Sequence, residues 1–247
     1  MSRPPIWIIS LERAAARRAY VVEGFTRLGI PFEIVDGIDG WHLSGEEQRR
    51  CSQTRALFEM GTRLTQGTLG CALSHLKVYE RMVADAIPAL VVMEDDALPT
   101  PQLMAALDEL DRIPGDWDVV TFRSQFASSR PVPLPGVTIA DGHQVCTYER
   151  VPFGAQCYLL RLETARRLLD VGYPVRMPAD ELLFRRWPAK LRTYGIEPAL
   201  ASDGAFDSEL VRRSEPVPSA ARELRLLDTP IVVAGKVWYR LRRRVSG

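Results

Sequence analysis

Five apolar residues, Ala89 to Met93, run directly into Glu94-Asp95-Asp96. A continuous apolar run of this kind is the pattern of a central parallel strand covered on both faces, and ligands bind in open α/β sheets just outside the carboxyl ends of such strands. Three adjacent carboxylates repel one another, and a divalent cation relieves that repulsion best. Hard oxygen donors suit Mg2+ or Mn2+, which also bridge diphosphate oxygens. The tripeptide alone is equally compatible with a solvated acidic turn. A phosphatase-like aspartyl nucleophile fits less well, because that chemistry wants an aspartate at the strand end and a second one two residues on, and Glu94 holds the first position.

A second group lies upstream, in the run from Leu64 to His75. Gly67 and Gly70 stand at a helix entry, where exposed backbone amides and the helix dipole favour an anion such as phosphate. Cys71 and His75 fall one turn apart on the same helix, away from its leucine stripe. They are the beginning of a zinc site, but the sequence offers no evident partner for them, and a hydrogen-bonded structural role serves His75 equally well. Nearer the N-terminus, Glu12, Arg13, Arg17 and Arg18 open a helix. Arg13 and Arg17, four apart, share a face suited to a diphosphate, although a solvated helix face explains them nearly as well.

The elements that must position these residues are readable from periodicity. Ile6 to Ser10 reads as a strand. Val21, Val22, Phe25 and Leu28 recur at helical spacing until Gly29 and Pro31 stop them. Phe32 to Val35 is a second strand, and Ser44 with Glu47 forms a capping-box pattern that starts another helix. Leu69, Ala72, Leu73, Leu76 and Val83 mark the buried stripe of a helix running from Gly67 to about Ala86. A helix over Gln102 to Arg112 and a strand over Asp118 to Phe122 complete an alternation that predicts an α/β fold with a mainly parallel, Rossmann-like sheet flanked by helices. Residues 1–123 therefore read as a nucleotide-binding half. From Ser124 to Gln144 no period survives, so this stretch reads as a long loop and a candidate lid. Beyond it, Ala155 to Leu160 reads as a strand, Glu163 to Val171 as a helix closed by Gly172, and Pro178 to Trp187 as a short helix, within a second, acceptor-side half over 145–210.

Bulk composition narrows the classes. With 247 residues, 46% of them hydrophobic, the chain has enough apolar surface for a proper core. A formal net charge of +1 gives no general attraction to nucleic acid. All but Lys77, Lys190 and Lys236 of the 32 basic residues are arginine, the side chain that grips phosphate bidentately. Cysteines at 51, 71, 146 and 157 form no CxxC pair and read as free thiols in a reducing compartment. Neither a signal-peptide core nor the roughly 20 apolar residues of a membrane span is evident, which makes a cytoplasmic location the expectation.

Taken in order, these residues resemble glycosyltransferase family 25, the lipooligosaccharide biosynthesis glycosyltransferases related to collagen galactosyltransferases. The likeness runs from about Ile6 to Asp203. It rests on the opening Ile9-Ser10-Leu11-Glu12-Arg13 with Arg17-Arg18, the Pro31-Phe32 strand, the box from Thr65 through Gly67, Gly70, Cys71, Leu73 and Ser74 to His75, and the strand ending in Glu94-Asp95-Asp96. Gly154 to Leu160 and Pro178-Ala179-Asp180 are similar to second-half signatures. The resemblance implies a GT-A-like single catalytic domain over 1–228, a UDP-hexose donor, most often UDP-galactose, and transfer with inversion to a lipopolysaccharide, lipooligosaccharide or other surface glycan. It implies donor contacts from Leu11, Arg13, Arg17, Gly70, Ser74, His75, Glu94 and Asp95. Asp96, with Glu94, would then hold Mn2+ or Mg2+ as the outer carboxylates of a DxD-like motif. Glu12 stands where aspartate is frequent and Ala155 where threonine is frequent, and the sequence beyond about Asp207 finds no match.

An inverting transfer needs a base for the acceptor hydroxyl. Asp180, at the start of a helix after Pro178 in the acceptor half, is the residue expected in that role, with Glu181 next; an acid stabilised by a helix dipole is the alternative. Competing readings are a catalytically silent glycan-binding member of the same fold and a metal-dependent phosphotransferase. Finally, residues 229–247 read as a basic amphipathic helix. Ile231, Ala234, Trp238, Leu241 and Val245 share one face, Lys236, Arg240, Arg243 and Arg244 lie opposite, and Arg242 flanks the stripe. That pattern predicts peripheral contact with the anionic inner face of a bacterial cytoplasmic membrane, or simple packing on the domain.

Overall fold

The computed structural model describes residues 3–123, 130–140, 142–150, 152–184, 189–204, 230–231 and 233–235. Its strands are β1 (Ile6–Ser10), β2 (Glu33–Asp36), β3 (Ala89–Glu94), β4 (Ala97–Pro99), β5 (Val119–Thr121), β6 (Pro131–Ile139), β7 (His143–Tyr148), β8 (Cys157–Arg161), β9 (Thr193–Glu197) and β10 (Ala201–Asp203). The helices are α1 (Ala15–Leu28), α2 (Gly45–Arg49), α3 (Gln53–Met60), α4 (Gln66–Ala84), α5 (Leu103–Asp108), α6 (Leu162–Gly172) and α7 (Ala179–Phe184). Eight strands form one sheet in the order β2-β1-β3-β8-β5-β9-β7-β6. β7 and β8 run against the other six, which all point the same way. β4 and β10 pair separately.

Period-two alternation along the central strands builds two cores. Trp7, Ile9, Leu90, Val92, Tyr158 and Leu160 face α4, α6 and α7. Ile6, Ile8, Val91, Met93 and Leu159 face α1 and α5. Central β3 is buried through Ala89 to Met93 because both of its faces carry helices. The result is the helix-flanked α/β sheet that the alternation of the sequence predicts.

Local signals set most boundaries. Ser44 and Glu47 close the capping box, with Glu47 N–H donating to Ser44 Oγ and Ser44 N–H to Glu47 Oε2 at 2.7 Å. Gly29 ends α1 in the left-handed region at φ 65°, where a Cβ would be strained. Thr65 caps α4 through the Thr68 N–H.

The structure corrects the sequence reading in several places. Leu11 to Ala14 form a turn and α1 begins at Ala15, so Glu12 and Arg13 precede the helix instead of opening it. Residues 131–148 are not a loop but the edge hairpin β6–β7. Pro131, Pro133 and Pro135 hide its strand character, and they are tolerated because β6 is an edge strand with a register shift between Pro133 and Thr138. β3 is parallel to β1 but antiparallel to β8 on its other side. His75 is not displaced from the core side of α4 but is 1% exposed. Of the amphipathic tail, only 230–231 and 233–235 are described, as helix packed on α3; Lys236 and Trp238 onward lie outside the described residues.

Candidate functional site

A cavity opens at the carboxyl ends of β1, β2 and β3. It is lined by Ser10, Leu11, Arg13 and Arg17 from the β1–α1 turn and helix, and by Ile38 to Trp41 after β2. Thr65, Gly67, Cys71, Ser74 and His75 of α4 and Glu94, Asp95 and Asp96 complete it. Residues far apart in sequence meet here because parallel strands deliver all their carboxyl ends to one edge of the sheet.

The three acids have separate surroundings. Asp95 accepts a hydrogen bond from Ser10 Oγ at 2.7 Å and an ion pair from Arg17 Nη2 at 2.7 Å. Glu94 Oε1 lies 3.2 Å from His75 Nε2. His75 Nδ1 is 2.7 Å from the Tyr158 hydroxyl, which stands 2.6 Å from the Tyr79 hydroxyl. Asp96 Oδ2 is 3.3 Å from Arg17 Nη2, whereas its Oδ1 is buried with no hydrogen-bond partner among the described residues. Burial and the charges of Glu94 and Asp95, only partly offset by Arg17, push the Asp96 carboxyl up to about 7. A buried carboxylate oxygen without a partner, in a carboxyl that is reluctant to ionise, is what a cation bound beside it would satisfy.

The turn after β2 forms the opposite wall. Asp39 caps it through the Trp41 N–H and accepts from Arg13 Nε at 2.6 Å. Its burial opposes ionisation, but the hydrogen bonds from Arg13 and His42 prevail and hold the carboxyl down at about 2. Ser74 Oγ receives the Ile38 N–H and donates to the Gly70 carbonyl, each at 2.7 Å. Gly70 itself does not line the cavity. A Cβ there would stand 2.4 Å from the Gly40 nitrogen and 2.6 Å from the Ile38 carbonyl oxygen, so glycine at this position lets α4 touch the turn.

Of the residues expected from sequence, Leu11, Arg13, Arg17, Ser74, His75, Glu94, Asp95 and Asp96 share this cavity, while Asp180 and Glu181 are not among its lining residues. Asp180 opens α7 and accepts the Gly154 N–H at 3.4 Å; burial above all, then the charges of Glu94 and Asp180, push the Cys71 thiol up. Sequence reasoning missed Ser10, Asp39, Trp41 and Tyr158. The Asp36-Gly37 and Asp39-Gly40 pairs were the available sign of a turn beside the site. Glu94 also supplies the third ligand that the sequence did not offer to Cys71 and His75: one ligand atom from each of the three lies within 4.8 Å of the others.

The sequence profile described as "Glycosyltransferase family 25 (LPS biosynthesis protein)" matches residues 3–183. The human protein named inactive glycosyltransferase 25 family member 3 is 28% identical over 224 residues, covering 80% of this chain and 36% of the relative. Procollagen galactosyltransferase 1-B of Xenopus laevis is 27% identical over 229 residues, covering 81% of this chain and 36% of its own length. The chain thus spans little more than a third of these relatives. A solved glycosyltransferase involved in glycosylating the major capsid of PBCV-1 superposes with a TM-score of 0.42 at 12% identity, covering 85% of this chain and 97% of that one.

Proposed function

The chain belongs to glycosyltransferase family 25, and on that premise we propose that it is an inverting, metal-dependent hexosyltransferase. The donor is UDP-galactose, and the acceptor is a hydroxyl of a lipopolysaccharide, lipooligosaccharide or other surface glycan. The observation that carries this reading is Asp96, whose unpartnered Oδ1 and raised pKa sit beside Arg17 in the cavity at the strand ends.

Asp96 and Glu94 are the residues that would hold Mn2+ or Mg2+. When bound, such a cation neutralises charge on the departing diphosphate. Arg17 and Arg13 supply guanidinium donors on the same side, suited to phosphate oxygens. The acceptor oxygen attacks the anomeric carbon as the bond to the diphosphate breaks, and its proton passes to a carboxylate, assigned here to Asp180 with Glu181 as the alternative.

Thermal shift with a panel of nucleotide sugars and Mn2+ tests the donor without requiring the acceptor. UDP-galactose should give the largest stabilisation, and slow Mn2+-dependent release of galactose to water should accompany it. Stabilisation without any hydrolysis or transfer would favour a catalytically silent member, a reading that the name of the human relative keeps in view. No response to any nucleotide would overturn the proposal.

We further infer a cytoplasmic site of action, peripheral on anionic membrane, through the 229–247 segment. Among the described residues no helix is long and apolar enough to cross a membrane. Support comes from the arginine-rich face of that segment, whereas its first turn packs on α3, with Gly235 against the Phe58 carbonyl. Sedimentation with anionic liposomes should retain the full chain and lose one ending at Thr229; equal behaviour of the two would remove the tether.

A further inference from the structure

The proposed transfer makes no use of the Cys71 thiol, yet it stands with His75 and Glu94 in a group whose ligand atoms all lie within 4.8 Å of one another. The three come from two rigid elements, Cys71 and His75 one turn apart on α4 and Glu94 at the end of β3. Thiolate, imidazole and carboxylate are ligands of Zn2+ and its softer neighbours, whereas Mg2+ and Mn2+ favour oxygen. We propose that Cys71, His75 and Glu94 form a binding site for a thiophilic divalent cation, Zn2+ foremost, with its remaining coordination position open to the cavity.

The surroundings of His75 are those of a metal ligand. Its Nδ1 is held by the Tyr158 hydroxyl at 2.7 Å, which turns Nε2 towards Glu94 at 3.2 Å. Metal-bound histidines are oriented in this way by a partner on the other ring nitrogen. Bonds of about 2.0–2.3 Å place tetrahedral ligand atoms roughly 3.5 Å apart. The spacing of His75 to Glu94 already agrees at 3.2 Å, and a Cys71 ligand atom lies within 4.8 Å of both. The thiol proton passes to solvent as the metal–sulfur bond forms. Asp96 lines the same cavity beside these three residues, where its carboxyl group favours a cation. Glu94 belongs to both constellations, so on the donor reading above Zn2+ and the nucleotide compete.

The test is titration of the full chain with Co2+, whose bond to a thiolate produces charge-transfer absorption in the near ultraviolet. The absorption should saturate with a single Co2+, vanish on adding Zn2+ but not Mg2+, persist in Cys51→Ser and disappear in Cys71→Ser. No charge-transfer absorption, or absorption retained in Cys71→Ser, overturns the assignment. A second measurement on the unaltered chain guards against misfolding of the variant. Alkylation mapped by mass spectrometry should slow at least tenfold at Cys71 when Zn2+ is present, and an unchanged rate at that residue likewise overturns the site. Neither readout involves nucleotide or turnover, so failure here is distinct from failure of the transferase reading.

Discussion

Arg17 neutralises only half of Asp96: its Nη2 stands 3.3 Å from Oδ2, while Oδ1 has no hydrogen-bond partner among the described residues. The cation already present therefore leaves an acceptor available for another. Because burial raises the Asp96 pKa from 3.8 to about 7, the folded chain binds a proton there that the unfolded chain releases. This contribution to stability is fully present below about pH 4 and is lost as pH rises towards 7. Urea denaturation at pH 5 and pH 8 should show the native protein losing stability across this interval and Asp96→Asn losing less. Asp96→Ala should stay folded and lose Mn2+-dependent UDP binding; retained metal-dependent binding would show that Asp96 is not the ligand.

Asp39 has the opposite sign. Its carboxyl is held down at about 2 by Arg13 and His42, so the stability it contributes is complete above its usual pKa of 3.8 and disappears as pH falls through about 2. Asp39→Ala also removes the cap on Trp41, and the combined loss should be about 1–2 kcal/mol at pH 7. Chemical denaturation at pH 7 and pH 2 should find the difference between variant and parent large at the first and small at the second.

Gly70→Ala tests the contact between α4 and the turn after β2. The three nearest atoms that the new methyl meets are all backbone, in Gly40 and Ile38, and none can rotate away. We expect a loss of about 1–3 kcal/mol or more, with weaker UDP binding in calorimetry because Trp41 and Arg13 move with the turn. Full nucleotide affinity in a destabilised variant would separate this contact from the cavity.

Asp180→Asn addresses the proposed base. A lost base slows chemistry far more than it weakens donor binding, so kcat should fall at least a hundredfold while the affinity for UDP is unchanged. Near-normal turnover would move the role to Glu181 or to Asp203, which the structure places beside Arg123.

Apolar periodicity made β1, α1, β3, α4 and α6 legible, and the strand-end rule located the acids. The register of β8 between β3 and β5 was not legible, because nothing local tells a buried strand which way it runs. The edge hairpin was masked by its prolines. In the cavity, the charged residues other than Asp39 were recognisable by type. Tyr158 was not, since it reads as one more apolar-run residue until the fold sets its hydroxyl against His75. Asp95 was legible as an acid of the strand end, but its hydrogen bond from Ser10 and its ion pair with Arg17 were not.

The reversed strand β8 has a consequence for how the chain acquires its shape. The edge of β3 from Ala89 to Met93 pairs with Arg161 to Cys157, and the same β8 joins β3 to β5. A ribosome must therefore synthesise the chain past residue 161 before the sheet beneath the acidic cluster can close, although every residue lining the cavity has already emerged. Until then β3 presents an open, wholly apolar edge, an invitation to intermolecular pairing. A fragment stopped at Phe122 carries all the cavity residues and should nonetheless aggregate. The long-range β3–β8 pairing makes closure of the two halves a late event in folding, set by loop closure rather than by local helix formation.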